Sequence, residues 1–345
     1  MIDEAGTAAG SRHDGATPPA AVVAGVRLTM LVDNVPAPAG RATRALHAQW
    51  GLSCWIEAPP ARVLLDCGAS DAFLRNAGVL GVDAAAADAF VLSHGHYDHG
   101  GGLAALMTAA PQARLVLHPA APAPRYSLAR TGKVEPIGLP ERSLMALRAA
   151  PARSIWSVGP VVAAPGVWAT GPVPRRHPLE AAEPSFYLDP ACTVHDEVVD
   201  DQSVWIETPR GLIVISGCAH AGIVNTVDHV RRVVAERIGA AIGRPAHGRP
   251  ARRDAPGHDA GPPAPGPAMP RDADGLPHVR AVLGGFHLLH ARKDRLEATA
   301  DYLESLGLEL CAPCHCTGKR ATDLLRERLP AAFSEVTTGA VFRLD

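Results

Sequence analysis

Apolar residues alternate with polar ones, or run in short uninterrupted blocks, along two stretches of the chain. In the first, Val26–Val32 reads as a strand, and Leu52–Glu57 with Arg62–Asp66 as a hairpin pair around Ala58-Pro59-Pro60-Ala61. Ala89–Leu92 is a short buried strand, Leu103–Ala110 a helix, and Leu115–Leu117 another strand. The second stretch repeats the pattern. Ser203–Thr208 and Leu212–Ser216 form a hairpin around Pro209-Arg210-Gly211, and Asn225–Ile238 carries apolar residues at 227, 230, 233, 234 and 238, a helical stripe. A strand at Val279–Leu283, helices at Arg295–Leu306 and Thr322–Leu329, and a closing strand at Ala340–Leu344 complete the set. Two halves of hairpins followed by helices predict a layered α/β fold with sheets inside and helices outside.

The pattern is interrupted where proline and glycine concentrate. Residues 242–278 hold nine prolines and six glycines, with only Ile242, Met269 and Leu276 as sizeable apolar side chains, so a disordered insertion is expected there. Residues 119–190 hold thirteen prolines but also Tyr126, Ile155, Trp156, Trp168, Phe186 and Tyr187. These aromatics predict an ordered, loop-rich insertion that walls the cleft and sets specificity, and whose deletion should spare metal binding. Residues 1–24 read as a flexible tail and 25–345 as a single domain.

Charge narrows the range of partners. With 33 basic and 35 acidic side chains, a net charge of −2 and 47% apolar residues, the chain is that of a soluble globular protein. It lacks the field of a nucleic-acid or membrane-surface binder. No apolar run of about 18 residues appears, and Met1–Pro19 has Asp3 and Glu4 and no apolar stretch, so neither a span nor a secretory signal is expected. A cytoplasmic location and a small-molecule substrate follow as expectations. Seven cysteines, three of them at Cys311, Cys314 and Cys316, then suggest metal or site chemistry before disulfides.

The densest polar cluster is Ser93-His94-Gly95-His96-Tyr97-Asp98-His99-Gly100-Gly101-Gly102, directly after the Ala89–Leu92 strand. On a strand-to-helix loop this spacing lets His94 and His96 converge on one cation while Asp98 and His99 turn toward a neighbouring one. The ligand types suit zinc, iron or manganese. Glycines 100–102 let the backbone pass close to such ions. Further donors are expected where later strands end in small residues and one histidine: His220 after Gly217-Cys218-Ala219, His287 after Gly284-Gly285-Phe286, and His315 after Cys311-Ala312-Pro313-Cys314. His195, ahead of the second hairpin, stays open as another ligand. Cys311, Cys314 and Cys316 also admit a separate structural zinc or iron–sulfur site with Cys218 as fourth thiolate. The preferred reading makes His315 the ligand and these cysteines packing residues or its support.

The run from His94 to His99 resembles the His-x-His-x-Asp-His signature of the metallo-β-lactamase superfamily. More narrowly, Leu31-Val32-Asp33-Asn34, Leu65-Asp66-Cys67-Gly68, Gly217-Cys218-Ala219-His220, Gly284-Gly285-Phe286-His287 and Cys314-His315-Cys316-Thr317-Gly318 resemble the branch that includes the archaeal dihydropterin-ribofuranosylaminobenzene-phosphate synthase. The resemblance implies a four-layer αββα sandwich with metals at one rim. His94, His96 and His220 would hold a first ion and Asp98, His99 and His315 a second, with Asp66 orienting a ligand histidine. His287 would touch substrate or supplement the ligands. One or two Zn2+ ions are implied, with Mn2+, Fe2+ or Mg2+ as alternatives. Two positions depart from the pattern: Cys218 stands where many members carry a bridging aspartate, and Trp50 where the branch commonly has histidine.

Three functions are compatible with these residues. The leading one is metal-assisted hydrolysis of a small phosphorylated or ester-type substrate, with Asp98 as the catalytic residue orienting hydroxide. The second is a transferase that couples a dihydropterin-methyl diphosphate to an aromatic ribofuranosyl acceptor. The third is a non-catalytic metal-binding module, against which the full set of His and Asp ligands argues.

Overall fold

Seven strands lie side by side in the order Val341–Leu344, Val26–Val32, Ser53–Ala58, Ala61–Leu65, Ala89–Val91, Arg114–Leu117 and Ser154–Trp156. Six more form a second sheet in the order Leu310–Cys314, Val279–Gly285, Gly211–Ser216, Ser203–Thr208, Val167–Ala169 and Val161–Ala164. The computed structural model describes residues 22–40, 43–242 and 269–345.

The central strands are apolar on both faces, and the layering follows from that. Leu28, Ile56, Val63 and Val91 of the first sheet meet Val204, Ile206, Ile213 and Leu283 of the second in a shared core. The outer face of the first sheet, with Leu64, Phe90 and Leu115, is covered through Phe73, Leu106 and Leu147 by the helices Ala72–Leu80, Leu103–Ala109 and Glu141–Ala149. Val214 and Val282 on the other outer face meet Val227, Leu296 and Leu325 from the helices Ile223–Ile242, Lys293–Ser305 and Lys319–Arg328. The product is a four-layer αββα sandwich. Each enclosed Val, Leu, Ile or Phe contributes roughly 1.5–3 kcal/mol relative to leaving it exposed.

Strand direction locates the rim where chemistry collects. Ala61–Leu65, Ala89–Val91 and Arg114–Leu117 run parallel, as do Gly211–Ser216, Val279–Gly285 and Leu310–Cys314. Parallel pairing brings the carboxyl ends of neighbouring strands to one edge, and the segments that leave them gather there.

Several elements differ from expectation, each for a physical reason. Cys311–Cys314, expected in a loop, belongs to the strand Leu310–Cys314, an edge strand where Pro313 needs no N–H to give. Alternation sends Cys311 into the core beneath the helices and Cys314 into the core between the sheets. The helix Ala72–Leu80 is hidden in the sequence because the polar Asn76 occupies its buried face. Asn76 is tolerated there because its side chain donates to the carbonyls of Leu31 (2.6 Å) and His47 (3.0 Å).

The segment 119–190 is divided rather than inserted as one piece. Ser154–Trp156 extends the first sheet, Val161–Ala164 and Val167–Ala169 extend the second, and Tyr126–Leu128, Val134–Pro136 and Phe186–Tyr187 make a small third sheet. Trp168 stacks on Trp205 within the second sheet at 5.3 Å. Most of the expected tail and, in the expected insertion, residues 243–268 lie outside the described residues. The last residues of that insertion form a turn: Asp272 N donates to Leu276 O (2.9 Å) and His278 N to Pro270 O (2.8 Å), while Arg231 pairs with Asp272. Among the described residues no helix is long and apolar enough to cross a membrane.

Candidate metal centre

The backbone at the strand ends is unusual before any side chain is considered. Four of the six non-glycine residues with positive φ among those described stand at these ends: Asp66 (56°), Ala219 (52°), His287 (47°) and His315 (48°). Left-handed backbone of this kind is costly for a residue with a Cβ and persists where surrounding bonds fix it. Gly217 is required by close approach, since a Cβ there would lie 2.1 Å from Ser93 Oγ and 2.8 Å from Asp66 Oδ2.

Asp66 organises the floor of the site. Its Oδ1 accepts Ser93 N (2.7 Å), and its Oδ2 accepts Ser93 Oγ (2.7 Å) and His99 Nδ1 (2.6 Å). Because the Ser93 hydroxyl gives its one proton to Asp66, the 2.9 Å contact between Ser93 Oγ and His94 Nδ1 has His94 donating. On the far side, Asn34 Nδ2 donates to His315 O (2.9 Å) while Asn34 Oδ1 accepts Gly51 N (3.1 Å) and His315 Nδ1 (3.0 Å). His94, His99 and His315 therefore each carry a proton on Nδ1 and turn Nε2 toward the centre.

Those Nε2 atoms meet in two groups. His94 Nε2 lies 2.9 Å from His96 Nδ1 and 3.1 Å from His220 Nε2. His99 Nε2 lies 3.2 Å from His315 Nε2 and 3.1 Å from Cys218 Sγ, with Asp98 Oδ2 3.4 Å from His315 Nε2. Two lone pairs facing each other at 3.2 Å repel unless a proton or a cation lies between them. Beyond these contacts, His96 Nε2 and His220 Nδ1 are buried with no hydrogen-bond partner.

Electrostatics separate the groups further. Burial, reinforced by neighbouring rings at His94 and His220 and chiefly by the Arg125 charge at His96, holds all three well below the ordinary imidazole value, so they are neutral. Burial acts the same way on His99, but the Asp66 and Asp98 carboxylates outweigh it and raise His99 to about 9. Asp98 resists burial too and stays below the usual carboxylate range because His99 and His315 face it. Burial and the adjacent Cys316 push Cys218 up, whereas Cys316 is lowered despite burial by Cys218 and His287.

This donor set fits divalent ions. Neutral imidazoles, a carboxylate and a thiol suit borderline metals such as zinc. Three groups have donor atoms all within 4.8 Å: His94, Cys218 and His220; His99, Cys218 and His315; Cys218, His287 and Cys316. Cys218 belongs to each.

The fold thus brings together His94, His96, Asp98, His99, Cys218, His220 and His315, with Asp66 beneath them. His287 stands at the mouth, its ring 4.2 Å from that of His220 and its Nε2 3.8 Å from Glu183 Oε2. His195 stays outside; it is exposed and contacts the Glu183 carbonyl at 2.9 Å. The separate cysteine site does not form either, because Cys311 and Cys314 face different cores.

Several supporting residues escape a sequence reading. Asp200 accepts Gly95 N (2.7 Å) and, with Asp196, clamps the buried Arg125, fixing the loop between His94 and His96. Asp201 accepts Ala221 N (2.9 Å) beside His220. The acidic run Asp196, Glu197, Asp200 and Asp201, just ahead of a fully buried strand, was the available signal. Phe186 covers the rings of His96 and His220 at 5.2 and 5.6 Å, and Trp50 lies 5.1 Å from His315.

The chain belongs to the metallo-beta-lactamase superfamily, whose sequence profile matches residues 53–231. It is 25% identical over 318 residues, 86% of this chain and 90% of the relative, to 7,8-dihydropterin-6-methyl-4-(beta-D-ribofuranosyl)-aminobenzene-5'-phosphate synthase of Methanocaldococcus jannaschii. It is 28% identical over 302 residues to the uncharacterized protein MJ0448 of the same organism, covering 87% of this chain and 94% of that one. The crystal structure of Tm1679, described as a metal-dependent hydrolase of the beta-lactamase superfamily, superposes with a TM-score of 0.65 at 24% identity, over 92% of this chain and 99% of the other. That likeness is one of fold.

Proposed function

We propose that the chain is a metal-dependent hydrolase of a small phosphorylated or ester-type substrate. The observation that carries this reading is the meeting, in one buried rim, of three neutral imidazoles and a carboxylate-anchored second group. His94, His96 and His220 would hold one divalent ion; Asp98, His99 and His315 would hold another, with Cys218 between. Zinc suits the mixture of nitrogen, oxygen and sulfur donors, and Mn2+ or Fe2+ suits it less. Ions bound there supply Lewis acidity, polarising the bond to be broken and making water acidic enough to attack near neutral pH.

The chain's own residues do the positioning. Asp98, kept ionised by His99 and His315, can orient the attacking water by accepting a hydrogen bond from it. Asp66 fixes the tautomer of His99 directly and that of His94 through Ser93. Phe186 and Trp50 shield the imidazoles from bulk water. Because donors come from residues 94–99 and from 220 and 315, residues 25–345 act as one functional unit in this reading. Alanine at His96 or Asp98 should remove bound metal, measured by elemental analysis, together with turnover across phosphoesters and esters. Turnover that survives without metal would overturn the proposal.

The relationship to a synthase over 86% of the chain favours a second reading, coupling in place of hydrolysis. The amino nitrogen of the aryl acceptor would then attack a pterin-methyl carbon in place of water, forming a carbon–nitrogen bond as diphosphate leaves and the amine proton passes to a base. Purified protein given a pterin-methyl diphosphate and an aryl acceptor should yield the hydrolysed alcohol under the first reading and the coupled product under the second.

A further inference from the structure

Arg295 lies in the first turn of the helix Lys293–Ser305 and takes no part in the centre described above. Its buried Nε and Nη2 have no hydrogen-bond partner among the described residues. The acids that act on it are engaged elsewhere. Glu180 accepts the backbone N–H groups of Val224 (3.0 Å) and Asn225 (2.8 Å). Glu183 accepts Ser185 Oγ (3.0 Å) at one oxygen, while the other lies 3.8 Å from His287 Nε2. A guanidinium with two buried, unmet donors is an expensive arrangement unless a ligand completes it.

The surrounding space says what kind of ligand would. Arg295 lines two cavities, of about 230 and 470 Å³, that share Glu183, His287, His290 and Ala291. The smaller one is also walled by Trp50 and Phe186 and reaches Cys316 at the metal centre. A molecule seated there would meet the Arg295 side chain, the aromatic rings of Trp50 and Phe186, and His287 with Cys316 beside the metal centre. The Nε and Nη2 donors lie on one edge of the guanidinium plane, an arrangement that matches two oxygens of a phosphate or carboxylate in parallel.

We propose that Arg295 anchors an oxyanion of an aromatic substrate whose body lies against Phe186 and Trp50. This rests on the reading of the imidazole centre as the reacting site, and it adds the substrate class: an aryl compound with a phosphate or carboxylate remote from the bond that reacts. Arg295 is a binding residue in this view, so its loss should raise KM and leave kcat nearly unchanged.

The test is calorimetric titration of the metal-loaded protein with phenylphosphonate, an aryl oxyanion that is not turned over. R295Q should weaken its binding by about tenfold or more while metal content stays unchanged. R295K keeps the charge but loses the paired contact, and should weaken binding by about three- to tenfold. If R295Q fails to fold, R295K carries the test. Wild-type affinity in whichever variant folds overturns the anchor, including the case in which phosphonate binds only at the metals. Hydrolysis of an aryl ester with and without a remote carboxylate separates this from the broader reading. R295Q should raise KM for the charged ester alone; if wild type cleaves neither ester, the hydrolase reading fails while the titration still decides the anchor.

Discussion

His94, His96 and His220 meet as three neutral rings, two of which also have a nitrogen without a partner, whereas His99 and His315 rest on Asp66 and Asn34 and face the Asp98 carboxylate. The two groups are neighbours, joined by Cys218. In the metal-free protein the first has lone pairs and no charge, and a cation there displaces nothing. The second already holds a proton at His99, and a cation has to displace it. Metal affinity should therefore depend on pH more steeply in the second group than in the first over the neutral and alkaline range.

The largest test of this contrast removes a ring from the neutral group. H96A takes away a donor that no side chain replaces, and should abolish the first ion and lower turnover by at least about a thousandfold. Elemental analysis with steady-state kinetics checks both. D66N strikes the other group more gently, since the amide keeps the shape of the side chain but no longer supplies an acceptor at both positions. Metal affinity there should fall by about 10–100-fold, read by competition with a chelator. The hydrogen bonds lost around Ser93 and His99 should lower stability by about 1–3 kcal/mol, read by thermal unfolding.

Acid and alkali should then act on the two groups in opposite directions in the metal-free protein. His99 rises from 6.5 to about 9 on folding, so its stabilisation is fully present below pH 6.5 and is lost as pH rises through 9. A shift of that size contributes up to about 3 kcal/mol. His94, His96 and His220 are depressed on folding, so their contribution is present above pH 6.5 and is lost as pH falls below it. Urea unfolding across pH should show both limbs. D66N should flatten the alkaline limb and leave the acid limb; a D66N protein that keeps its alkaline limb contradicts the contrast.

The same division explains what was legible in the sequence. His94, His96, Asp98 and His99 are local, so their spacing after a short strand reveals them. His220, His287 and His315 are legible only as a repeated form, a parallel strand ending in small residues and one histidine. What supports them is long-range and leaves no local mark. Asn34 holds His315 across 281 residues, and Asn76 looks like a polar interruption until Leu31 is seen beside it. The aromatics of 119–190 predicted order, but their short edge strands could not be assigned to sheets from pattern alone. Deleting that segment would strip one strand from the first main sheet and two from the second, so it no longer isolates specificity from folding.

The smallest effect is expected at Trp50. Its ring is 5.1 Å from that of His315, tilted by 56°, and is 47% exposed. An aromatic contact of this kind is worth about 0.5–1.5 kcal/mol when well covered, and half-exposure places it at the low end. His315 is meanwhile held by three bonds that do not involve the indole: its Nδ1 to Asn34, its carbonyl from Asn34 Nδ2, and its N–H to Asp33 at 3.0 Å. W50A should therefore leave metal content unchanged and raise KM for an aromatic substrate by about two- to fivefold, with kcat nearly constant. If W50A instead loses metal, Asn34 and Asp33 do not suffice to position His315. The second group would then depend on its cover as much as on its anchors, and its difference from the three bare imidazoles would be one of degree.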